Sequence, residues 1–318
     1  MSNHHDLPFS VATMHWGQFD AALAPVLKVA SGDTVTLSAL PACIPERLPS
    51  DSSYAIPQLL NEAFAMMRSG GSSHFMSGPI AVDGAEPGDV LEVDILDVLP
   101  WMDWGYMTIQ PLKGTIPEDF PEAMLIHPRI DHAAGKINML PGVTVPLDPF
   151  FGVMGVAPPP AWGSVNAMVP RAFGGNMDNK DLRAGAKLHL PVFVPGALFS
   201  AGDGHGAQGH GEVCLTGLET GMTGTFRLTV RKNPGFDWPF AEDTEALMSI
   251  GIDEDLDDAA KQAVREMVRH VTRLTSLRRE EAYMLASLVG DLHVTQTVDG
   301  NKGVHMRLNK RHLSGVWR

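Results

Sequence analysis

Apolar and polar positions alternate in several separate stretches of the chain. Between Gly88 and Pro100, Leu91, Val93 and Ile95 fall on one face and Val90, Glu92 and Asp94 on the other, which is the period of a strand. Leu188, Leu190, Val192 and Val194 repeat the pattern. Phe226, Leu228 and Val230 alternate with Thr225, Arg227, Thr229 and Arg231, which predicts a half-buried strand. Ser31-Gly32-Asp33-Thr34-Val35-Thr36-Leu37 reads as a turn feeding another. The period changes after about residue 240. Leu256, Ala260, Ala263, Met267, Val271 and Leu274 recur at steps of three and four, which predicts an amphipathic helix from Asp255 to Leu274. The acidic run from Asp253 to Asp258 places negative charge where the helix N-terminus favours it. Glu280 to Val289 reads as a second helix, 292–298 as a strand and Gly300-Asn301 as a turn. Earlier, Asn61 to Arg68 reads as a short helix before Gly70-Gly71. Four prolines make 41–57 a loop, and 141–161 reads as ordered coil with short strands. Strands first and helices late predict one mainly β domain over 1–318, of sandwich or barrel type, with a helical section at 241–290.

Composition sharpens this picture. Thirty-two glycines and 24 prolines among 318 residues exceed the usual combined share of about 12% and point to many turns. The net charge of −13 argues against nucleic acid as partner, because a phosphate backbone needs a basic surface. Cys43 and Cys214 are too few for a disulfide framework and lack thiolate-zinc spacing, so both are expected to be small buried residues in a reducing, cytoplasmic setting. The first residues show no basic region followed by an apolar run, so no signal peptide is expected. No stretch approaches the roughly 18–20 apolar residues that cross a bilayer, and no membrane partner is expected.

The densest chemistry lies in Gly202-Asp203-Gly204-His205-Gly206-Ala207-Gln208-Gly209-His210-Gly211-Glu212. If extended, Asp203 and His205 share a face at i, i+2. A carboxylate and an imidazole so placed can bind a divalent metal, or act as a base and its orienting partner. Glu212 has the right type for a general base acting on water. Residues 204–209 also match G-x-G-x-x-G, but a dinucleotide site needs a strand before and a helix after. Glu212-Val213-Cys214-Leu215-Thr216 reads as strand, so that match is discarded. A second cluster, Gly174-Gly175-Asn176-Met177-Asp178, offers a carboxylate and a hydrogen-bond donor, or turn-forming side chains alone. His74 and His15 beside glycine, proline or tryptophan are ordinarily structural, and the histidines at 127, 132, 189, 270, 293, 305 and 312 carry no assigned role.

Taken in order, these segments resemble the acetamidase/formamidase family of amide hydrolases over roughly residues 11–299. The likeness rests on Ser77-Gly78-Pro79-Ile80-Ala81-Val82 with Gly84-Ala85-Glu86-Pro87-Gly88-Asp89, on Pro149 to Pro158, and on Gly174 to Asp178. It continues through Gly196-Ala197-Leu198-Phe199 into Gly202-Asp203-Gly204-His205, Gln208-Gly209 and Gly211-Glu212. The family commonly has Asp where this chain has His210. The resemblance implies a mainly β fold, homo-oligomers, a divalent metal (zinc above all) and hydrolysis of a small non-peptide amide. Short aliphatic amides such as formamide or acetamide, or a small lactam, are the implied substrates. Carried onto these residues, it implies metal ligands among Asp178, Asp203 and His205, with His74 as a further one. Glu212 is then the general base and Asn176 or Gln208 the donor to the oxyanion. The competing expectations are a metal-free acid/base set with Cys214 as nucleophile, and a non-catalytic small-molecule binder on the same scaffold.

Overall fold

The computed structural model describes residues 2–68 and 72–318, so the Gly70-Gly71 turn lies outside the described residues. Two large sheets organise the chain. The nine-stranded sheet runs His4–Asp6, Thr34–Ala39, Met222–Arg231, Val90–Pro100, Lys187–Pro191, Phe240–Glu242, Ala246–Asp253, Lys302–Asn309 and Gly290–Gln296. The seven-stranded sheet runs Gly174–Asn176, Phe150–Gly155, Phe199–His205, Phe75–Val82 and Met14–Trp16, with Glu219–Thr220 and Leu27–Val29 attached at its side. One apolar core takes Val35, Leu37, Leu91, Val93, Phe226 and Leu228 from the first sheet and Ile80, Val153, Met154 and Phe199 from the second. The inward face of each strand is apolar, so each sheet hides its face only against the other. This is the mainly β sandwich that the alternating stretches predict.

The alternating stretches become strands close to their predicted bounds, at Thr34–Ala39, Val90–Pro100 and Met222–Arg231. Both faces of the Val90–Pro100 strand are buried in its first half, Glu92 and Asp94 included, because Lys187, Arg227 and Arg231 cover and pair their carboxylates. The Leu188 strand stops at Pro191, short of Val192 and Val194.

Three α-helices are described: α1 (Gln58–Phe64), α2 (Leu256–Leu274) and α3 (Arg279–Val289). The first begins three residues before the predicted Asn61. The Asp255 side chain caps α2 by accepting from the amides of Asp257 and Asp258, as the acidic run implies. Ala259, Ala263, Met267 and Val271 of α2 then pack on Leu247, Val304 and Leu308, building a second core on the far half of the nine-stranded sheet. The helical section is shorter than 241–290: Phe240–Glu242 and Ala246–Asp253 are strands, and helix begins only at Leu256. Ala246–Ile252 is apolar but for Ser249 and buried on both faces, so periodicity alone could not separate it from helix. No helix among the described residues is long and apolar enough to cross a membrane.

Candidate active site

The site forms where the edge of the seven-stranded sheet meets three returning loops. Asp203 and His205 lie at the end of the strand Phe199–His205, where Asp203 has left-handed rather than extended backbone, and their side chains meet: His205 Nε2 lies 3.5 Å from Asp203 Oδ2. The chain then loops out from 206 to 218 and returns so that Glu219 pairs with His205 across the sheet. The closure is held by Gly206 N–H donating to Leu218 O (2.8 Å) and Leu218 N–H to Ala207 O (3.0 Å). His205 Nε2 is 3.0 Å from Glu219 Oε1.

Asp178 arrives from the sheet edge. The Gly152 carbonyl accepts from the amides of both Met177 (3.1 Å) and Asp178 (3.2 Å), which turns the carboxylate inward. A Cβ at Gly152 would collide with Asp178 Oδ1 and lie 2.7 Å from Asp203 Oδ2, so a larger residue there would displace a carboxylate. Gly217 is under the same constraint, for its Cβ would lie 2.8 Å from His205 Nδ1. Glu212 sits on the 206–218 loop. That loop is tied down by Gly211 N–H to Thr295 O (2.9 Å) and by Thr297 N–H to Gly211 O (3.1 Å). Asp178, Asp203 and Glu212 all have positive φ, at 45°, 59° and 45°. Such left-handed backbone is uncommon outside glycine, and side chains held this way cluster at functional sites.

Around a cavity of about 70 Å³ stand five carboxylates (Asp178, Asp203, Glu212, Glu219 and Asp299) and two imidazoles (His74 and His205), with Asn176, Tyr106, Arg47 and Lys113 also lining it. All seven acidic and imidazole groups are buried. His74 Nε2 is 3.8 Å from Asp203 Oδ2. Gln208 stands beside the cavity with both ends occupied: Oε1 accepts from His205 Nδ1 (2.7 Å) and Nε2 donates to Asp178 O (2.8 Å). Asn176 donates through Nδ2 to Met168 O at 3.3 Å, while its Oδ1 has no partner.

The electrostatics follow from crowding. Burial and the Asp178 charge hold the Glu212 carboxyl well above its ordinary range. Burial, then Asp178 and Glu212, do the same to Asp299. Burial lifts Glu219 to about 8 and raises Asp178, the latter helped by Asp203. Burial also opposes ionisation of Asp203, but the adjacent His205 and His74 outweigh it and keep that group ionised. Burial disfavours the His205 cation, yet Glu219 and Asp203 outweigh this and raise its pKa well above the ordinary imidazole value. Five carboxyl groups at such distances cannot all ionise against two imidazoles. One oxygen each of Asp178, Asp203, Glu212, Glu219 and Asp299, together with His74 Nδ1, is buried without a hydrogen-bond partner. Buried polar atoms are normally satisfied. A set of orphaned oxygens plus imidazole matches the donors a divalent cation takes, and two triads, Asp178–His205–Glu212 and Asp203–His205–Glu219, place one donor atom each within 4.8 Å of one another.

With this geometry in hand, the comparisons with known proteins decide the family. The sequence pattern described as "Acetamidase/Formamidase family" matches residues 69–168 and 160–235. The chain belongs to this family. The crystal structure of an acetamidase from Bacillus Halodurans is 32% identical, covers 98% of this chain and 99% of its own, and superposes with a TM-score of 0.85. A formamidase of Methylophilus methylotrophus is 26% identical over 299 residues, covering 71% of this chain and 73% of the relative. An acetamidase of Mycolicibacterium smegmatis is 29% identical over 202 residues, covering 45% of this chain and 50% of the relative. The chain thus spans about half the length of two of the curated relatives it matches.

Within this family member, the structure brings Asn176, Asp178, Asp203, His205, Glu212 and His74 around one cavity and sets Gln208 behind His205. Sequence reasoning missed Glu219, Asp299, Tyr106 and Arg47. Glu219 had a faint signal, as the first charged residue after the loop that closes on His205. Asp299 had only the Gly300-Asn301 turn beside it. Tyr106 and Arg47 had none. Two expectations are corrected. Residues 212–216 are not a strand but a turn, with Leu215 N–H donating to Glu212 O at 3.1 Å. The loop must reverse direction to bring Glu219 opposite His205, and a reversing chain cannot stay extended. No helix follows the glycine motif, so the dinucleotide reading still fails. Cys43 is buried but Cys214 is only half-buried in that turn. The His15 ring bonds Gln18 O and Ser200 Oγ, both at 2.9 Å, and is structural as expected.

Proposed function

We propose that this protein hydrolyses the C–N bond of a small non-peptide amide, either a short aliphatic amide such as formamide or acetamide or a small lactam. The observation that carries the reading is the carboxylate–imidazole cavity itself, found in a member of a family whose relatives bear amidase names. At about 70 Å³ it admits a substrate of a few heavy atoms, far below the 300–1,000 Å³ of pockets for larger ligands.

Asp178, Asp203 and His205, with His74 as a further ligand, would hold a divalent ion, zinc in the first instance. Such an ion, when bound, polarises a carbonyl and lowers the pKa of its water to about 7. Glu212 takes the proton of the attacking water and returns it to the leaving nitrogen, so that the amide yields a carboxylic acid and ammonia, and a lactam yields an amino acid. Asn176 has a second Nδ2 hydrogen beyond the one bonded to Met168 O, and this one donates to the tetrahedral oxyanion. Gln208, with both ends engaged, is a positioning residue that fixes the His205 ring and the Asp178 backbone. Cys214 does not line the cavity and is not placed in the reaction.

We read the protein as cytoplasmic and homo-oligomeric. Free Cys43 and Cys214 support the first. Exposed Tyr283, Met284 and Leu288 on α3, close in sequence to exposed Leu292, support the second. A non-catalytic binder is not favoured, because the matched relatives carry enzyme names.

The test is ammonia release from formamide, acetamide and propionamide, and ring opening of γ-butyrolactam, before and after chelation. Turnover that is lost on chelation and restored by Zn²⁺ is expected. Full activity after rigorous metal removal would overturn the metal assignment. A thermal shift with amides but no turnover of any would overturn the enzymatic reading.

A further inference from the structure

A second group of metal-binding side chains lies outside the carboxylate cavity, and the amide chemistry does not use it. His293 and His305 stand directly opposite each other on the paired strands Gly290–Gln296 and Lys302–Asn309. Their rings stack with centroids 5.0 Å apart at 14°. His210, from the 206–218 loop, closes the triangle at 4.8 Å from His293 and 5.0 Å from His305. One ring nitrogen from each histidine lies within 4.8 Å of the other two.

The rings are held as ligand rings usually are. His305 is fully buried, with Nδ1 2.7 Å from Thr295 Oγ1 and Nε2 3.2 Å from Asp181 Oδ2. Ligation through either nitrogen leaves the other with an outer partner that orients the ring. His210 Nδ1 is buried and has no hydrogen-bond partner at all. An ion bound tetrahedrally at Zn–N distances of 2.0–2.1 Å needs nitrogens about 3.3–3.4 Å apart. The nitrogens lie within 4.8 Å of one another, so binding requires the two partly exposed rings, His210 and His293, to turn toward the buried one. Three imidazoles suit Zn²⁺, Co²⁺, Ni²⁺ or Cu²⁺ and not the oxygen-seeking Mg²⁺ or Ca²⁺.

We propose that His210, His293 and His305 form a second binding site, for a divalent transition-metal ion, separate from the carboxylate cavity. The site ties two segments together. His210 is two residues from Glu212, and its neighbour Gly211 is hydrogen-bonded to Thr295 and Thr297 on the segment that leads to Asp299. A bound ion cross-links the Glu212 loop to that segment.

Equilibrium dialysis and absorption titration with Co²⁺ on the full chain test this. Wild type is expected to bind one equivalent more than His293→Asn or His210→Gln, with a four-coordinate Co²⁺ visible band that weakens at least tenfold in affinity in each variant. Asp203→Asn, which alters only the carboxylate cavity, is expected to keep that band, and excess Mg²⁺ is expected not to displace it. Circular dichroism confirms that each variant is folded. Equal Co²⁺ stoichiometry and absorption in wild type and both histidine variants overturns the proposal. So does loss of the band in Asp203→Asn, which would place the ion in the carboxylate cavity. Because the readout is metal binding, failure of the amidase reading leaves this test intact.

Discussion

His205 Nε2 and Glu219 Oε1 face each other at 3.0 Å from paired positions on two strands, with 13 loop residues between them in sequence. Glu219 and Asp203 offset the cost of burying the His205 cation and so raise its pKa. Glu219→Gln keeps the shape but removes the titratable carboxyl group. Loss of activity by at least 10²-fold with little change in Tm is expected. Steady-state ammonia release and a thermal melt check this, and wild-type turnover would remove Glu219 from the site.

In the proposed reaction Glu212 is the general base, and its replacement should behave differently. Glu212→Gln is expected to lower kcat by about 10²–10⁴-fold, the usual worth of a general base, with KM little changed. Glu212→Asp should recover part of the loss. Retention of wild-type kcat by the Gln variant would end the assignment.

Gly152 is held by sterics alone. Gly152→Ala places a Cβ against Asp178 and Asp203, so one carboxylate must move. Overpacking of this kind costs about 1–3 kcal/mol, and activity should fall much more than stability does. Urea unfolding beside the amide assay separates the two.

His270 makes a pH-dependent contribution to stability far from the site. Its ring stacks on Phe240 at 3.7 Å, and neither nitrogen has a hydrogen-bond partner. Burial, with the charge of Arg273, lowers its pKa from 6.5 to about 3. Between those values the unfolded chain binds a proton that the folded chain excludes, so stability is full above pH 6.5 and falls as pH drops toward 3. From pH 7 to pH 5 this one group accounts for about 2 kcal/mol of lost stability. His270→Phe should narrow the pH 7 to pH 5 difference in urea unfolding by about that much. An unchanged difference would refute the account.

Several features were legible along the chain because they are local. Period-two alternation marked Val90–Pro100 and Met222–Arg231. Period-3.6 patterning with an acidic cap marked α2 nearly to the residue. Where a strand is buried on both faces, as at Ala246–Asp253, alternation vanishes and the reading fails. The apolar residues after Glu212 misled for a different reason, since they lie in a turn with Val213 exposed and Cys214 and Leu215 half-buried.

By itself the sequence determined the mainly β class and the residues of the two glycine-rich motifs, because each depends on neighbours within a few positions, and it determined the family through the order of short segments along the chain. It also named Asp178, Asp203, His205 and Glu212 as chemically capable. Only the tertiary structure decided that Glu219 and Asp299 join them, that Gln208 serves as a brace, and that His210, His293 and His305 meet. Those contacts are made by sheet register and loop closure between distant segments. The potential of a carboxylate or an imidazole depends on which charges burial forces beside it, and no spacing along the chain encodes that.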